Sequence, residues 1–217
     1  MKNRSLDLKT MYNDKYMKES QSGHPFFTRQ FKYLLKWTGK ENGILKVLDL
    51  GGGTGTYSSI IQEMGHDVTL VDLSEVAVSK ARSIGVKNAV CADFLSAPPN
   101  DTFDVILVKG FSPLNTDDPM IFENILSSIA RLLSPGGVIF YYWGSADMSG
   151  QWTSSGWYNW HPSLLRNFFE QVQVCPAFRY QALLPPFINT AISRIVETGV
   201  LPKRAMTCIA FLRERSQ

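Results

Sequence analysis

Cysteine is scarce in this sequence: Cys91, Cys175 and Cys208 are the only three in 217 residues. None stands in a C-x-x-C pair, and the number is odd. Both facts argue against a disulfide framework or a thiolate zinc site and for reduced thiols in the cytoplasm. Long apolar runs are missing too: none approaches the roughly 18 residues a membrane-crossing helix needs. The opening Met1-Lys2-Asn3-Arg4-Ser5-Leu6-Asp7 lacks the apolar centre of a signal peptide. A cytoplasmic protein without a membrane partner is the expectation. There is also no dense basic block. The net charge is +3, and the Lys203-Arg204 and Arg213-Glu214-Arg215 stretches are short and, in the latter, mixed in sign. Nucleic acid is therefore not an expected partner. What is present is a globular composition, 44% hydrophobic and 19% charged. The chain is long enough to bury a full core as one domain with trimmings.

Residues 1–24 are polar and read as a short helix or flap. Phe26, Phe27, Phe31, Leu34, Leu35 and Trp37 recur at helical spacing, so 25–38 reads as an amphipathic helix opened by Pro25 and ended by Gly39. Short apolar runs follow at 45–50, 68–71, 89–92, 103–108 and 138–143, and they read as buried strands. Helical segments alternate with them at 56–64, 75–82 and 117–133, the last opened by Asp117-Asp118-Pro119. Ser134-Pro135-Gly136-Gly137 reads as a turn. A helix at 161–171 and two last strands, 172–180 and 204–213, complete the pass, with a Pro-containing insertion at 183–202. Such alternation predicts a parallel sheet with helices on both faces. The expected organisation is a helical cap over 1–38 and an α/β domain over 39–217.

The strongest local signal is Val47-Leu48-Asp49-Leu50-Gly51-Gly52-Gly53-Thr54-Gly55, set between a strand and a helix. Glycines here let backbone approach a ligand and allow φ > 0. The placement predicts a ligand at the carboxyl edge of the sheet. A dinucleotide site wants G-x-G-x-x-G, but Thr56 stands where the last glycine would be. The pattern is D-x-G-x-G-x-G. Asp49 would repel a pyrophosphate and suits the ammonium of a methionine moiety. Asp72 ends the second strand about twenty residues on, where an acid takes ribose hydroxyls, and Leu73 beside it could lie against a base.

With these residues the sequence resembles the class I S-adenosylmethionine-dependent methyltransferase family over residues 40–145. The resemblance implies a three-layer α/β/α sandwich, its seven-stranded sheet mostly parallel with an antiparallel last strand. It also implies S-adenosylmethionine as cofactor, S-adenosylhomocysteine as product, and no metal. Asp93 would then accept from the adenine amino group, and Phe94 would meet the ring, although Asp93 could equally cap a loop. The expected cofactor set is Asp49, Gly51, Gly52, Gly53, Gly55, Asp72, Leu73, Asp93, Phe94, Lys109 and Tyr16. Tyr12 and Tyr16 could close over the methionine end, as N-terminal helices do in branches of the family.

Methyl transfer is an in-line displacement governed by positioning, so no one catalytic residue is demanded. Lys109, at the end of strand four, could bind an anionic group or lower a hydroxyl's pKa. His161 is the candidate base by type. His24 is weaker, and His66 reads as surface. The Asn/Asp-Pro-Pro-aromatic tetrad of the family's amino-methylating branches is absent from Lys109-Gly110-Phe111-Ser112-Pro113-Leu114-Asn115. Strand five ends in Tyr141-Tyr142-Trp143, and residues 151–161 are unusually aromatic. Phe111, Tyr142, Trp143, Trp157 and Trp160 are the expected acceptor-binding residues, although these rings could also simply cover the sheet edge. The leading expectation is methyl transfer to oxygen or nitrogen of a metabolite or sugar-like small molecule. RNA or protein methylation, cofactor binding without turnover, and a homodimer are the alternatives left open.

Overall fold

The apolar runs form strands because their alternate residues can be buried on opposite faces of one sheet. Val47, Val105, Leu107, Val138, Phe140 and Tyr142 pack on one face, and Leu48, Leu50, Ile106, Val108, Ile139 and Tyr141 on the other. Near-continuous hydrophobicity is the mark of strands covered on both sides. A computed structural model describes residues 2–18, 27–143, 152, 156–158, 160, 171–176, 188, 191 and 208–213.

In chain order the elements are α1 (Lys2–Lys18), α2 (Phe27–Trp37), β1 (Lys46–Leu50), α3 (Thr56–Glu63), β2 (Asp67–Asp72), α4 (Glu75–Ser83), β3 (Asn88–Cys91), β4 (Phe103–Lys109), α5 (Pro119–Ala130), β5 (Leu133–Trp143), β6 (Gln171–Pro176) and β7 (Cys208–Arg213). The seven strands lie in the order β3-β2-β1-β4-β5-β7-β6. β1 to β5 are parallel. β7 runs antiparallel to both of its neighbours. The expected seven-stranded, mostly parallel sheet with an inverted last strand is thus the one observed. The chain order reverses between β1 and β4, and this places a crevice at their carboxyl ends.

Helices cover the sheet by their apolar stripes. Phe27, Phe31, Leu34 and Leu35 of α2 and Ile61 of α3 join the cluster around Val47, and Val78 and Ala81 of α4 pack on Leu70. On the opposite face, Phe122, Ile125, Leu126 and Ile129 of α5 pack on Ile106 and Ile139. α2 is therefore a layer of the core, whereas the described side chains of α1 lie outside it. Asp118 caps α5 by accepting from the Met120 and Ile121 amides, ahead of Pro119.

Two sequence expectations are corrected. The α5 helix stops at Ala130 rather than near 133. The 134–137 stretch is not a turn ahead of strand five but a bulge within it. Phe103 pairs with Leu133 and Val105 with Val138, so four residues of β5 face Asp104 alone. The Asp104 carboxylate steadies this bulge, accepting from Ser134 Oγ at 2.7 Å and from the Lys46 amide at 2.9 Å. The expected helix at 161–171 lies outside the described residues except for Gln171, which begins β6, and the insertion at 183–202 is described only at Ile188 and Ala191, both helical.

Candidate active site

The chain leaves β1 through a loop built for close approach. Gly51, Gly53 and Gly55 all have positive φ, at 72°, 55° and 79°, a backbone state that costs most side chains dearly. Space is equally restrictive. A Cβ on Gly55 would lie 2.7 Å from the Ala81 Cβ, so this glycine lets α4 close on the loop. A Cβ on Gly52 would lie 2.8 Å from both Asp49 Oδ2 and the Leu70 side chain. Gly51 lies beneath the Phe111 ring, and Gly53 beneath the Tyr16 hydroxyl, 2.8 Å from where a Cβ would stand. The floor of the crevice is thus bare backbone walled by Tyr16 and Phe111.

Two acids flank that floor. Asp49 is 2% exposed and accepts from Ser58 Oγ at 2.6 Å. Burial pushes its carboxyl up to about 6; the nearby Asp72 charge adds to this, while Ser58 and Lys109 oppose it. Asp72, also buried, accepts from the Ser74 amide through Oδ1 and from the Gly53 amide through Oδ2, both at 2.9 Å. Burial raises its pKa as well, against those two amides. Each carboxylate oxygen has a second lone pair for a further donor. Asp72 therefore fixes the glycine loop and keeps acceptor capacity for a diol.

Beyond Asp72, Leu73 is half-buried and Phe94 buried, and Phe94 meets Phe111 edge-on with centroids 5.8 Å apart. Asp93 accepts from the Leu95 amide at 3.1 Å, the loop-capping geometry. Lys109 is exposed, its Nζ 4.7 Å from the centre of the Tyr57 ring. α1 crosses the site edge on polar contacts. Asn13 Oδ1 accepts from Ser74 Oγ at 2.6 Å, Lys80 Nζ donates to the Tyr16 carbonyl, and Lys9 pairs with Glu75.

The expected acceptor residues divide. Phe111 roofs Gly51, and Trp157 is half-buried beside Tyr158. Trp160 is 6% exposed and packed on Phe122 at 4.6 Å, and Tyr142 is 5% exposed in the α2 layer, so both are core residues with little surface to offer a ligand. His161, His24 and the side chain of Trp143 lie outside the described residues. His66 is half-buried, not a bare surface group. It accepts from the Leu45 amide and meets the edge of Phe31. Four polar residues escaped the sequence reading as site residues: Ser58, Ser74, Asn13 and Asn115. Only the first two had a local signal, Ser58 one turn into the helix after the glycines and Ser74 as a helix cap. Among the described residues, no group of three His, Cys, Asp or Glu could hold a metal ion. No described helix is long and apolar enough to cross a membrane.

The strand order with its inverted β7, and a bare loop between two buried acids, define the class I methyltransferase fold. The residues present suit a ligand carrying a diol, an ammonium and a flat heterocycle: paired acids, a floor without side chains, and walls of Leu73, Phe94 and Phe111. Comparison with known proteins agrees. Residues 47–137 match a family model described as a methyltransferase domain. That match spans about two fifths of the chain and contains the glycine loop, Asp72 and Asp93. A ubiquinone biosynthesis O-methyltransferase of Xanthomonas oryzae is 32% identical over 102 residues, 44% of this chain and 41% of that one. A ubiquinone/menaquinone biosynthesis C-methyltransferase of Vibrio vulnificus is 36% identical over 104 residues, 42% and 38% of the two chains. The matched region thus spans about two fifths of these curated relatives. Among solved structures, the plantazolicin methyltransferase BpumL, in complex with a desmethyl analogue and SAH, superposes over 100% of both chains with a TM-score of 0.65 at 16% identity. DhpI in complex with SAH covers 98% of each chain with a TM-score of 0.62 at 16% identity.

Proposed function

We propose that this chain is a cytoplasmic enzyme that moves a methyl group from S-adenosylmethionine to an oxygen or nitrogen of a small-molecule acceptor. The observation that carries the reading is the Gly53–Asp72–Ser74 clasp beside buried Asp49. It holds acceptor oxygens at the sheet edge beside a floor to which Gly51, Gly52 and Gly53 contribute no side chain.

The cofactor, when bound, supplies a sulfonium-activated methyl group, and the rest is done by the chain. Asp72 takes the sugar diol with the lone pairs its two amide donors leave free. Asp49 faces the ammonium, whose positive charge relieves the cost of ionising a buried acid. Leu73, Phe94 and Phe111 wall the base. Tyr16, carried by α1, covers Gly53 and keeps water from that end. Lys109, steadied on Tyr57, presents a cation at the end of β4, where it suits a carboxylate or a hydroxyl losing its proton. Holding nucleophile and methyl carbon in line supplies several kcal/mol, roughly 7–11 in the best cases.

The names of the O-methyltransferase relatives favour oxygen as the acceptor atom. A small acceptor accords with the modest net charge of +3. The test uses methyl-labelled S-adenosylmethionine with an extract of cells that make this protein, its products separated into small-molecule, nucleic-acid and protein fractions. Label is expected in the small-molecule fraction, dependent on the enzyme and lost in Asp72→Ala. Label in RNA or protein would overturn the small-molecule reading.

A further inference from the structure

The connection after β4 and the aromatic segment at 152–160 come from distant parts of the sequence, yet one side chain joins them. Asn115 follows a short 3-10 turn over Ser112–Leu114, and its amide donates to the Ser112 carbonyl at 3.0 Å, which fixes its backbone. Its side chain then uses both ends. Nδ2 donates to the Gly156 carbonyl at 2.9 Å, and Oδ1 accepts from the Tyr158 amide at 2.9 Å. Those two backbone groups flank Trp157. An asparagine amide is one of the few side chains that can satisfy a carbonyl and an N–H together. Gly156 makes the grip possible: its φ is +77° with open space where a Cβ would be, so glycine is there for the backbone turn alone. The segment is tied a second time by an antiparallel bridge between Trp152 and Tyr158 and by Trp152 Nε1 donating to Asp117 Oδ2 at 3.3 Å.

The other end of the connection is Phe111, whose Cα lies 3.6 Å and whose ring 3.1 Å from where a Gly51 Cβ would stand. One continuous path therefore runs from the glycine loop through Phe111 and Asn115 to Trp157. We infer that Asn115 is a positioning residue, holding the half-buried Trp157 on the acceptor side of the site and so selecting flat acceptors that can lie against an indole. The inference rests on the methyl-transfer reading above. It adds to it the acceptor's shape class and the residue that sets it. Asn115 acts through Trp157 and touches none of the groups assigned to the cofactor.

The experiment compares the full chain with Asn115→Ala, Asn115→Asp and Asn115→Gln. Acrylamide quenching of the Trp157 emission, isolated by difference from Trp157→Phe, reports the position of the ring. Loss of two hydrogen bonds is expected to raise quenching about twofold in Asn115→Ala while S-adenosylhomocysteine affinity stays within about twofold. Asn115→Asp keeps the shape but cannot donate to Gly156, so it is expected to behave like alanine. Asn115→Gln keeps both groups and is expected to recover part of the protection. For the small molecule that takes label from S-adenosylmethionine, KM is expected to rise about tenfold in the alanine variant, with kcat much less changed. Unchanged quenching and unchanged KM in an active Asn115→Ala enzyme would overturn the inference, as would a parallel loss of S-adenosylhomocysteine binding. A wild-type protein that methylates nothing while Asn115→Ala still frees Trp157 would sink the functional reading instead and leave the clamp standing.

Discussion

Asp49 carries a titration that the free protein and its complexes answer differently. Its carboxyl ordinarily titrates at 3.8 and stands at about 6 in the fold, chiefly because it is buried. The folded chain thus holds this proton more tightly than the unfolded chain does. Its contribution makes stability fall as pH rises from about 4 to about 6 and level off above that. A bound ammonium requires the ionised form. Affinity for S-adenosylhomocysteine is therefore expected to drop about tenfold per pH unit below 6. Titration calorimetry between pH 5 and 8 would show it, with the slope abolished and overall affinity reduced in Asp49→Asn. A pH-independent affinity would mean that Asp49 does not face the ammonium. At the loop's other end, Gly55→Ala puts a methyl against Ala81 in a left-handed backbone and is expected to cost about 2–4 kcal/mol. Gly65→Ala shares the positive φ, at +94°, but has open space, so its loss should be smaller, about 1–2 kcal/mol. The difference between the two melting temperatures isolates the packing.

α1 differs from every other described helix in that none of its described side chains, residues 7–18, joins the buried core. It is held by Asn13 on Ser74 and Val76, by Lys80 on the Tyr16 carbonyl, and by the exposed Lys9–Glu75 pair, which is worth little by itself. Removing residues 1–24 should therefore leave the melting temperature nearly unchanged while weakening S-adenosylhomocysteine binding about tenfold. Equal affinity in the truncated chain would show that Tyr16 does not close the site. What the sequence revealed follows the same division between local and distant contacts. The strands, the Asp118 cap and the two acids were legible because each is announced by neighbours within a few residues. Asn13 and Asn115 were not, since their partners lie 61 and 41 residues away. Ser134-Pro135-Gly136-Gly137 has the composition of a turn, and only pairing on both sides of it, Phe103 with Leu133 and Val105 with Val138, makes it a bulge. Trp160 read as an acceptor-binding ring because irregular segments carry no periodicity to say which ring turns inward.

At the scale of the whole molecule, charge gives a discriminating prediction. A small acceptor should show a KM that barely responds between about 50 and 200 mM salt, whereas a polyanion held by 6–10 phosphate contacts would lose about 10³–10⁵ in affinity over that range. A steep dependence would transfer the aromatic segment to a nucleic-acid surface. The position of β7 has a consequence for how the protein is made. Each of β1 to β5 finds a partner already synthesised or soon to follow, but among the described strands β6 pairs only with β7, and β7 also fills the open side of β5. Sixty-five positions separate Trp143, where β5 ends, from Cys208, where β7 begins. At cellular elongation rates of about 5–20 residues per second, the ribosome leaves the long edge of β5 uncovered for roughly three to thirteen seconds in every molecule. For that interval the nascent chain presents an unpaired strand to its neighbours on the same message, the period when a chaperone has most to protect.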